Sequence, residues 1–211
     1  MHWIYYVGRC LTIVLLFIFF RWRVNGKENI PRQGPLLIVA NHLNLADPPI
    51  LAASIDRKAV FMAKEELFRS RLSRYFVQNS GAFPVRRGRL TRKVLGEAER
   101  WLEQGVAVIM FPEGSRSKTG QLQPAFSGSA LIASRFGATI LPVGIAGTES
   151  IKGKAWWLRR PDITVNIGRP FSPPASGKLT KTELAQLTDS IMGRIAELLP
   201  PGYRGDYAGE T

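Results

Sequence analysis

The chain has 211 residues and a formal net charge of +13, with 29 basic side chains against 16 acidic. That length fits one sizeable domain, no Pro/Gly/Ser-rich linker or charge block divides it, and the positive excess favours an anionic partner: nucleic acid, a phosphorylated metabolite or an acidic lipid surface. A single cysteine, Cys10, excludes an intrachain disulfide and any zinc site built from several thiolates.

From Trp3 to Phe20 the sequence is almost wholly apolar, interrupted by Gly8, Arg9 and Thr12 and closed by Arg21-Trp22-Arg23. Its uncharged part, Cys10 to Phe20, has 11 residues. At about 1.5 Å per helical residue these reach roughly half of a ~30 Å hydrocarbon core. A simple span is therefore disfavoured, and so is a secretory signal, because no small-residue cleavage site follows. The expectation is a helix within residues 1–23 that lies in one leaflet of a membrane. Trp3, Tyr5, Tyr6 and Trp22 would sit at its interface, and Arg9, Arg21 and Arg23 would reach lipid phosphates. An apolar helix buried in the core is the alternative.

Short apolar runs rich in β-branched residues then alternate with amphipathic stretches, the pattern of an α/β domain with a largely parallel central sheet flanked by helices. Strands are expected at 36–40, 59–62, 81–84, 107–111, 140–145 and 163–167. Asp47-Pro48 reads as an N-cap and first turn of a helix that runs to about Ile55. Leu90, Val94, Leu95, Ala98, Trp101 and Leu102 share one helical face, which Gly105 ends. The last helix opens on the capping box Thr180-Lys181-Thr182-Glu183 and places Leu184, Leu187, Ile191, Ile195 and Leu198 on one side. One domain thus covers 24–200, and the polar, Gly-rich tail 201–211 is expected to fray.

Imidazole is the side chain best suited to moving protons near neutral pH, and of the two histidines one is His2. His42 directly follows the apolar run 36–40, where a buried strand surfaces, and Asp47 lies five residues on. A carboxylate on one ring nitrogen would fix the tautomer and stabilise the imidazolium; the plainer reading is a strand-end histidine and a helix-capping aspartate. A second cluster, Phe111-Pro112-Glu113-Gly114-Ser115-Arg116-Ser117, can offer a carboxylate acceptor, a bidentate phosphate clamp and backbone N–H groups to one ligand, or can be an ordinary turn with a solvated ion pair. It is a poor P-loop, because in the stretch from Gly114 to Gly120 the lysine precedes the second glycine. A third, Phe83-Pro84-Val85-Arg86-Arg87-Gly88-Arg89, crowds three arginines after an expected strand, as a phosphate pocket or as a basic loop facing anionic lipid. No Gly-x-Ser-x-Gly elbow occurs and Cys10 lies in the apolar segment, so direct attack by a substrate hydroxyl is favoured over a covalent acyl-enzyme.

Together these segments resemble the glycerolipid acyltransferases of the lysophospholipid acyltransferase family, over residues 24–168. Four blocks carry the resemblance in order: His42 with Asp47, Gly81 to Arg87, Phe111 to Ser117, and Ile140-Leu141-Pro142-Val143-Gly144-Ile145. The resemblance implies that His42 is the general base for the acceptor hydroxyl and Asp47 its orienting partner. It implies that Arg87 and Arg116 bind the acceptor phosphate, that Glu113 holds the glycerol portion, and that amides near Gly114 steady the oxyanion. Pro142 would shape the acyl-donor side. Two positions depart from the family's usual pattern: Arg86 stands where an acidic or neutral residue is common, adding charge beside the phosphate site, and Ser115 replaces a frequent threonine but keeps its hydroxyl. The activity so implied moves a fatty acyl group from acyl-CoA or acyl-carrier protein to a lysophospholipid acceptor, foremost lysophosphatidic acid. Glycerol-3-phosphate, another lysophospholipid or a lyso-aminolipid are the alternative acceptors. No metal or redox cofactor is implied, and the cytoplasmic face of an anionic membrane is the expected location. A basic, non-catalytic membrane-binding module and a hydrolase using water are the rival classes. The basic residues follow no nucleic-acid-binding motif, so no nucleic acid is expected as a partner.

Overall fold

In the computed structural model, which describes residues 2–85, 90–153, 155–174 and 179–209, the apolar runs of β2 (Leu36–Ala40) and β5 (Ala107–Met110) are buried at every position. Strands covered on both faces read this way, without alternation. They form the centre of a seven-stranded sheet ordered β1-β7-β6-β2-β5-β3-β4, completed by β1 (Arg21–Asn25), β3 (Ala59–Lys64), β4 (Ala82–Val85), β6 (Thr139–Ala146) and β7 (Asp162–Ile167). Every pairing is parallel except β6 with β7. Pro84 can be accommodated because β4 is an edge strand, where a missing N–H costs no ladder bond.

The two faces of the sheet carry separate cores. Leu37, Val39 and Val108 pack with α4 (Arg92–Glu103), α5 (Gly128–Phe136) and α6 (Lys181–Glu197). Leu36, Ile38 and Ile109 pack on the other side with α1 (Trp3–Phe19) and α2 (Asp47–Ser54). α3 (Arg71–Asn79) leads into β4. The capping box that opens α6 is present: the Thr180 hydroxyl accepts from Glu183 N, and the Glu183 carboxylate accepts from Thr180 N.

Four details differ from the sequence expectations. β1 falls across the expected boundary at residue 23, because Arg-Trp-Arg-Val-Asn alternates exposed and half-buried side chains along an edge strand. Arg21 and Arg23 accordingly pair with Asp162 of β7, at 3.6 and 2.8 Å. Arg9 is turned inward: it donates to the carbonyls of Ala52 and Ile55 at 3.1 Å and meets Asp56 at 3.4 Å, so it caps the C-terminus of α2 where carbonyls lack helical partners. Tyr5 is likewise buried, its hydroxyl accepting from Ala59 N. The segment after Pro200, expected to fray, forms 3-10 turns at Pro201–Tyr203 and Gly205–Tyr207. Tyr203 donates to Glu149 at 2.6 Å and accepts from Leu122 N, and with Tyr207 it packs on the core.

α1 therefore has two apolar faces. Tyr5 and Leu16 pack against the domain, whereas Trp3, Val7, Leu11, Val14 and Phe17, spaced three or four residues apart, form a stripe that points away from it. No helix among the described residues is long and apolar enough to cross a membrane. Replacing Arg9 by Met should lower the stability of the domain by about 2 kcal/mol, since a charged donor to helix-terminal carbonyls is lost. A reduced urea midpoint at unchanged m-value would show it.

Candidate active site

The site lies where parallel strands end together. Val39 of β2 is level with Met110 of β5, so the loops that follow both strands emerge side by side at the carboxyl edge of the sheet, the place where open α/β sheets bind ligands. Asn41 fixes the first loop: its buried side-chain amide donates to Ile145 O at 2.8 Å and accepts from Ile145 N at 2.7 Å, pinning the end of β2 to β6.

His42 and Asp47 are brought together. The Nδ1 atom of His42 lies 2.8 Å from Asp47 Oδ2. Asp47 is not the N-cap; Ala46 holds that position and makes no side-chain cap bond, while Asp47 is the first helical residue of α2. Its carboxylate reaches back over the loop, and Oδ2 also accepts from the backbone of Leu43 at 2.6 Å and Asn44 at 2.7 Å. The wholly buried aspartate thus closes the loop and holds the ring. A carboxylate acceptor at Nδ1 puts the ring proton there and leaves the Nε2 lone pair available to a substrate. The ring stacks on Phe111, with centroids 4.3 Å apart, which restrains its rotation.

Glu113, in the block from Phe111 to Ser117, is placed differently from the role implied by resemblance. It is 4% exposed and sits behind the cleft wall. Its Oε1 accepts from His42 N at 2.8 Å, and its Oε2 accepts from Gln123 N and Nε2 at 3.0 and 3.3 Å. Both oxygens accept from protein donors, so this carboxylate braces the histidine loop from behind the residues that line the cleft. Burial pushes the Glu113 carboxyl up to about 7, in spite of the donors from His42 and Gln123 that favour its charged form. At the other end of the block Ser117 N donates to His42 O at 2.7 Å. The backbone of His42 is therefore gripped at its N–H and at its C=O by one segment. Gly114 makes this possible with φ +64°, a left-handed turn in which its own N–H is taken by Phe111 O. That amide is not available to an oxyanion; those of Ser115 and Arg116 make no hydrogen bond among the described residues.

A cleft of about 1500 Å³ opens in front of His42. Phe61, Met62, Val85, Leu90, Met110 and Leu131 give it apolar walls, and Arg116, Lys64 and Lys118 give it cations. Ser115 and Gly114 also line it. Arg116 and Lys64 form no ion pair among the described residues. Arg86 and Arg87 lie outside the described residues. Pro142 is buried within β6 against Gly168 and is not among the residues that line this cleft. Lys64 and Gln123 were not anticipated. Lys64 is the polar residue that ends β3 on the same edge as His42, a readable signal; Gln123 follows a loop with no motif of its own.

A histidine held by a buried carboxylate and open to an apolar cleft is an arrangement that can take a proton from a bound hydroxyl, on an α/β sheet of the kind that binds ligands at this edge. The Acyltransferase family model matches residues 21–146, and the chain belongs to that family. It is similar to the 1-acyl-sn-glycerol-3-phosphate acyltransferase of Streptococcus pneumoniae, 30% identical over 90% of this chain and 71% of that protein. It is also similar to the chloroplastic 1-acyl-sn-glycerol-3-phosphate acyltransferase BAT2 of Brassica napus, 27% identical over 92% of this chain but only 55% of that protein, so the chain spans about half the length of the plant relative. The crystal structure of the 1-acyl-sn-glycerophosphate (LPA) acyltransferase PlsC from Thermotoga maritima superposes with a TM-score of 0.69 at 28% identity, covering 88% of this chain and 75% of that one.

Proposed function

We propose that this chain transfers a fatty acyl group from acyl-CoA or acyl-carrier protein to the sn-2 hydroxyl of 1-acyl-sn-glycerol-3-phosphate, giving phosphatidic acid. The observation that carries the reading is the His42 Nδ1 to Asp47 Oδ2 hydrogen bond at the head of the cleft. Nε2 takes the proton of the acceptor hydroxyl as its oxygen attacks the thioester carbonyl. The C–S bond then breaks, and the imidazolium returns the proton to the leaving thiolate. The Ser115 and Arg116 amides are assigned to the transient oxyanion. Arg116 and Lys64 bind the acceptor phosphate, and Arg87 and Arg86 are assigned to the same phosphate by resemblance. The apolar walls take acyl chain. This chemistry needs no metal or redox cofactor, because the thioester is already activated.

The partners follow from the same reading: a lysophospholipid acceptor, an acyl donor, and an anionic membrane. The outward stripe of α1 lies in the cytoplasmic leaflet, where acyl donors are found, and the inner face ties the domain to it. Purified protein incubated with labelled acyl-CoA and acyl-carrier protein and a panel of acceptors tests the activity. Free fatty acid formed equally with and without acceptor would mean a hydrolase instead.

Substituting Arg116 or Lys64 by Ala should raise the acceptor KM between about tenfold and a hundredfold, as expected for loss of a charge-assisted hydrogen bond. Kinetics on a phosphorylated and a neutral lyso-acceptor decide the point. An equal rise for both would remove the phosphate from the assignment.

A further inference from the structure

A helix that lies along a membrane leaves its domain free to roll about the helix axis, so one contact line does not aim an active site. We propose that the loop between β6 and β7 supplies a second contact, the 3-10 turn Trp156–Arg159, which inserts its tip into the head-group region of an anionic lipid surface beside α1. The inference rests on the reading of α1 as a membrane helix.

Trp157 is 47% exposed and Leu158 67% exposed, two large apolar side chains at the apex of a short turn. Left-handed, non-glycine residues flank it, Ala155 with φ 59° and Arg160 with φ 43°. Backbone of that kind is held only by surrounding contacts. Those contacts come from the end of α1. Trp156 stacks on Phe20 with centroids 5.0 Å apart, Trp157 meets Phe19 edge-on at 6.5 Å, and Arg160 donates to Phe17 O at 3.3 Å. Phe17 is itself 79% exposed and belongs to the outward stripe. The apolar surface therefore continues from the helix onto the turn.

Charge selects the occupant. From Ile151 to Pro161 the chain has four cations, Lys152, Lys154, Arg159 and Arg160, and no acidic residue. The next carboxylate, Asp162, is paired with Arg21 and Arg23. An apolar tip bearing a tryptophan, in a segment whose sequence holds four cations and no carboxylate, matches the boundary between acyl chains and anionic head groups. The same loop reaches the catalytic edge, since Asn44, two residues from His42, donates to Ile151 O at 3.4 Å. Two contacts that are not collinear stop the roll and present the cleft to the surface from which a lipid acceptor leaves.

The test uses the full chain and sedimentation with mixed phosphatidylglycerol and phosphatidylcholine vesicles. The double variant Trp157→Ser with Leu158→Ser should partition about tenfold less than the wild type, the loss expected for two partly inserted apolar side chains, while keeping the wild-type melting temperature. Trp157→Phe retains the ring packing on Phe19 and serves as a second measurement. With bromine-labelled acyl chains in the vesicles, the wild type should lose a fluorescence component that this variant lacks. Equal partitioning of the double variant, or identical fractional quenching of wild type and Trp157→Phe, overturns the second contact while wild-type binding leaves α1 as the anchor. A wild type that fails to bind the vesicles overturns both.

Discussion

His42→Ala should lower acyl transfer by about 10²- to 10⁴-fold, the range that a positioned general base contributes, with little change in melting temperature. The fold is expected to survive because the ring is partly exposed at the cleft and makes one hydrogen bond, to Asp47. The buried carboxylate keeps two backbone donors, Leu43 N and Asn44 N, after the ring is gone. Labelled acyl transfer to lysophosphatidic acid, together with calorimetry, reads both quantities. Retained turnover would place the proton acceptor elsewhere, and no other histidine of the chain is near: His2 lies at the start of α1.

A substitution behind the cleft should be nearly as damaging and should differ in kind. In Glu113→Gln one side-chain atom can still accept from His42 N, but the new NH2 then faces Gln123 N and Nε2, both donors. An unsatisfied buried donor costs about 1–3 kcal/mol, and the histidine loop should loosen with it. We expect kcat to fall while the acceptor KM hardly moves, because Glu113 does not line the cleft. A rise in KM at constant kcat would restore the glycerol-holding role. The pH dependence gives a second reading. Glu113 titrates near 4.5 when unfolded and is pushed up to about 7 by burial in the fold. Between those values the native state binds more protons than the unfolded one. Its contribution to stability is therefore fully present below about 4.5 and is lost as pH rises through about 7. In urea titrations across that window the wild type should show this downward component and Glu113→Gln should not.

Much of the domain was legible because its central strands are buried on both sides. Runs such as Leu36-Leu37-Ile38-Val39-Ala40 admit no polar residue, and their ends mark where functional loops emerge. β1 was not legible: two arginines of five residues conceal a period of two, and only pairing with β7 and Asp162 gives them a reason to be in a sheet. The apolar N-terminus was visible as composition, but composition does not say which side docks. Arg9 looked like a lipid-phosphate ligand until the carbonyl end of α2 stood opposite it. In the site, the spacing of His42 and Asp47 allowed their meeting without requiring it, and the turn that brings Asp47 back over the loop decides it. The direction of Glu113 depended on the left-handed turn at Gly114 and on Gln123, ten residues away, which no local pattern connects to it.

The grip of the Glu113 to Ser117 segment on the His42 backbone has a bearing on how such an enzyme can be altered. The two loops are not separable parts, since each completes the other's hydrogen bonding. A change in either one that removes Glu113 or displaces Ser117 N would leave the backbone groups of His42 stranded, so they form a single cassette. The walls from β3 and α5 share no bond with that cassette among those described above. They are the natural ground for changing which acyl chain or which lyso-lipid the cleft accepts while the proton-transfer apparatus stays as it is.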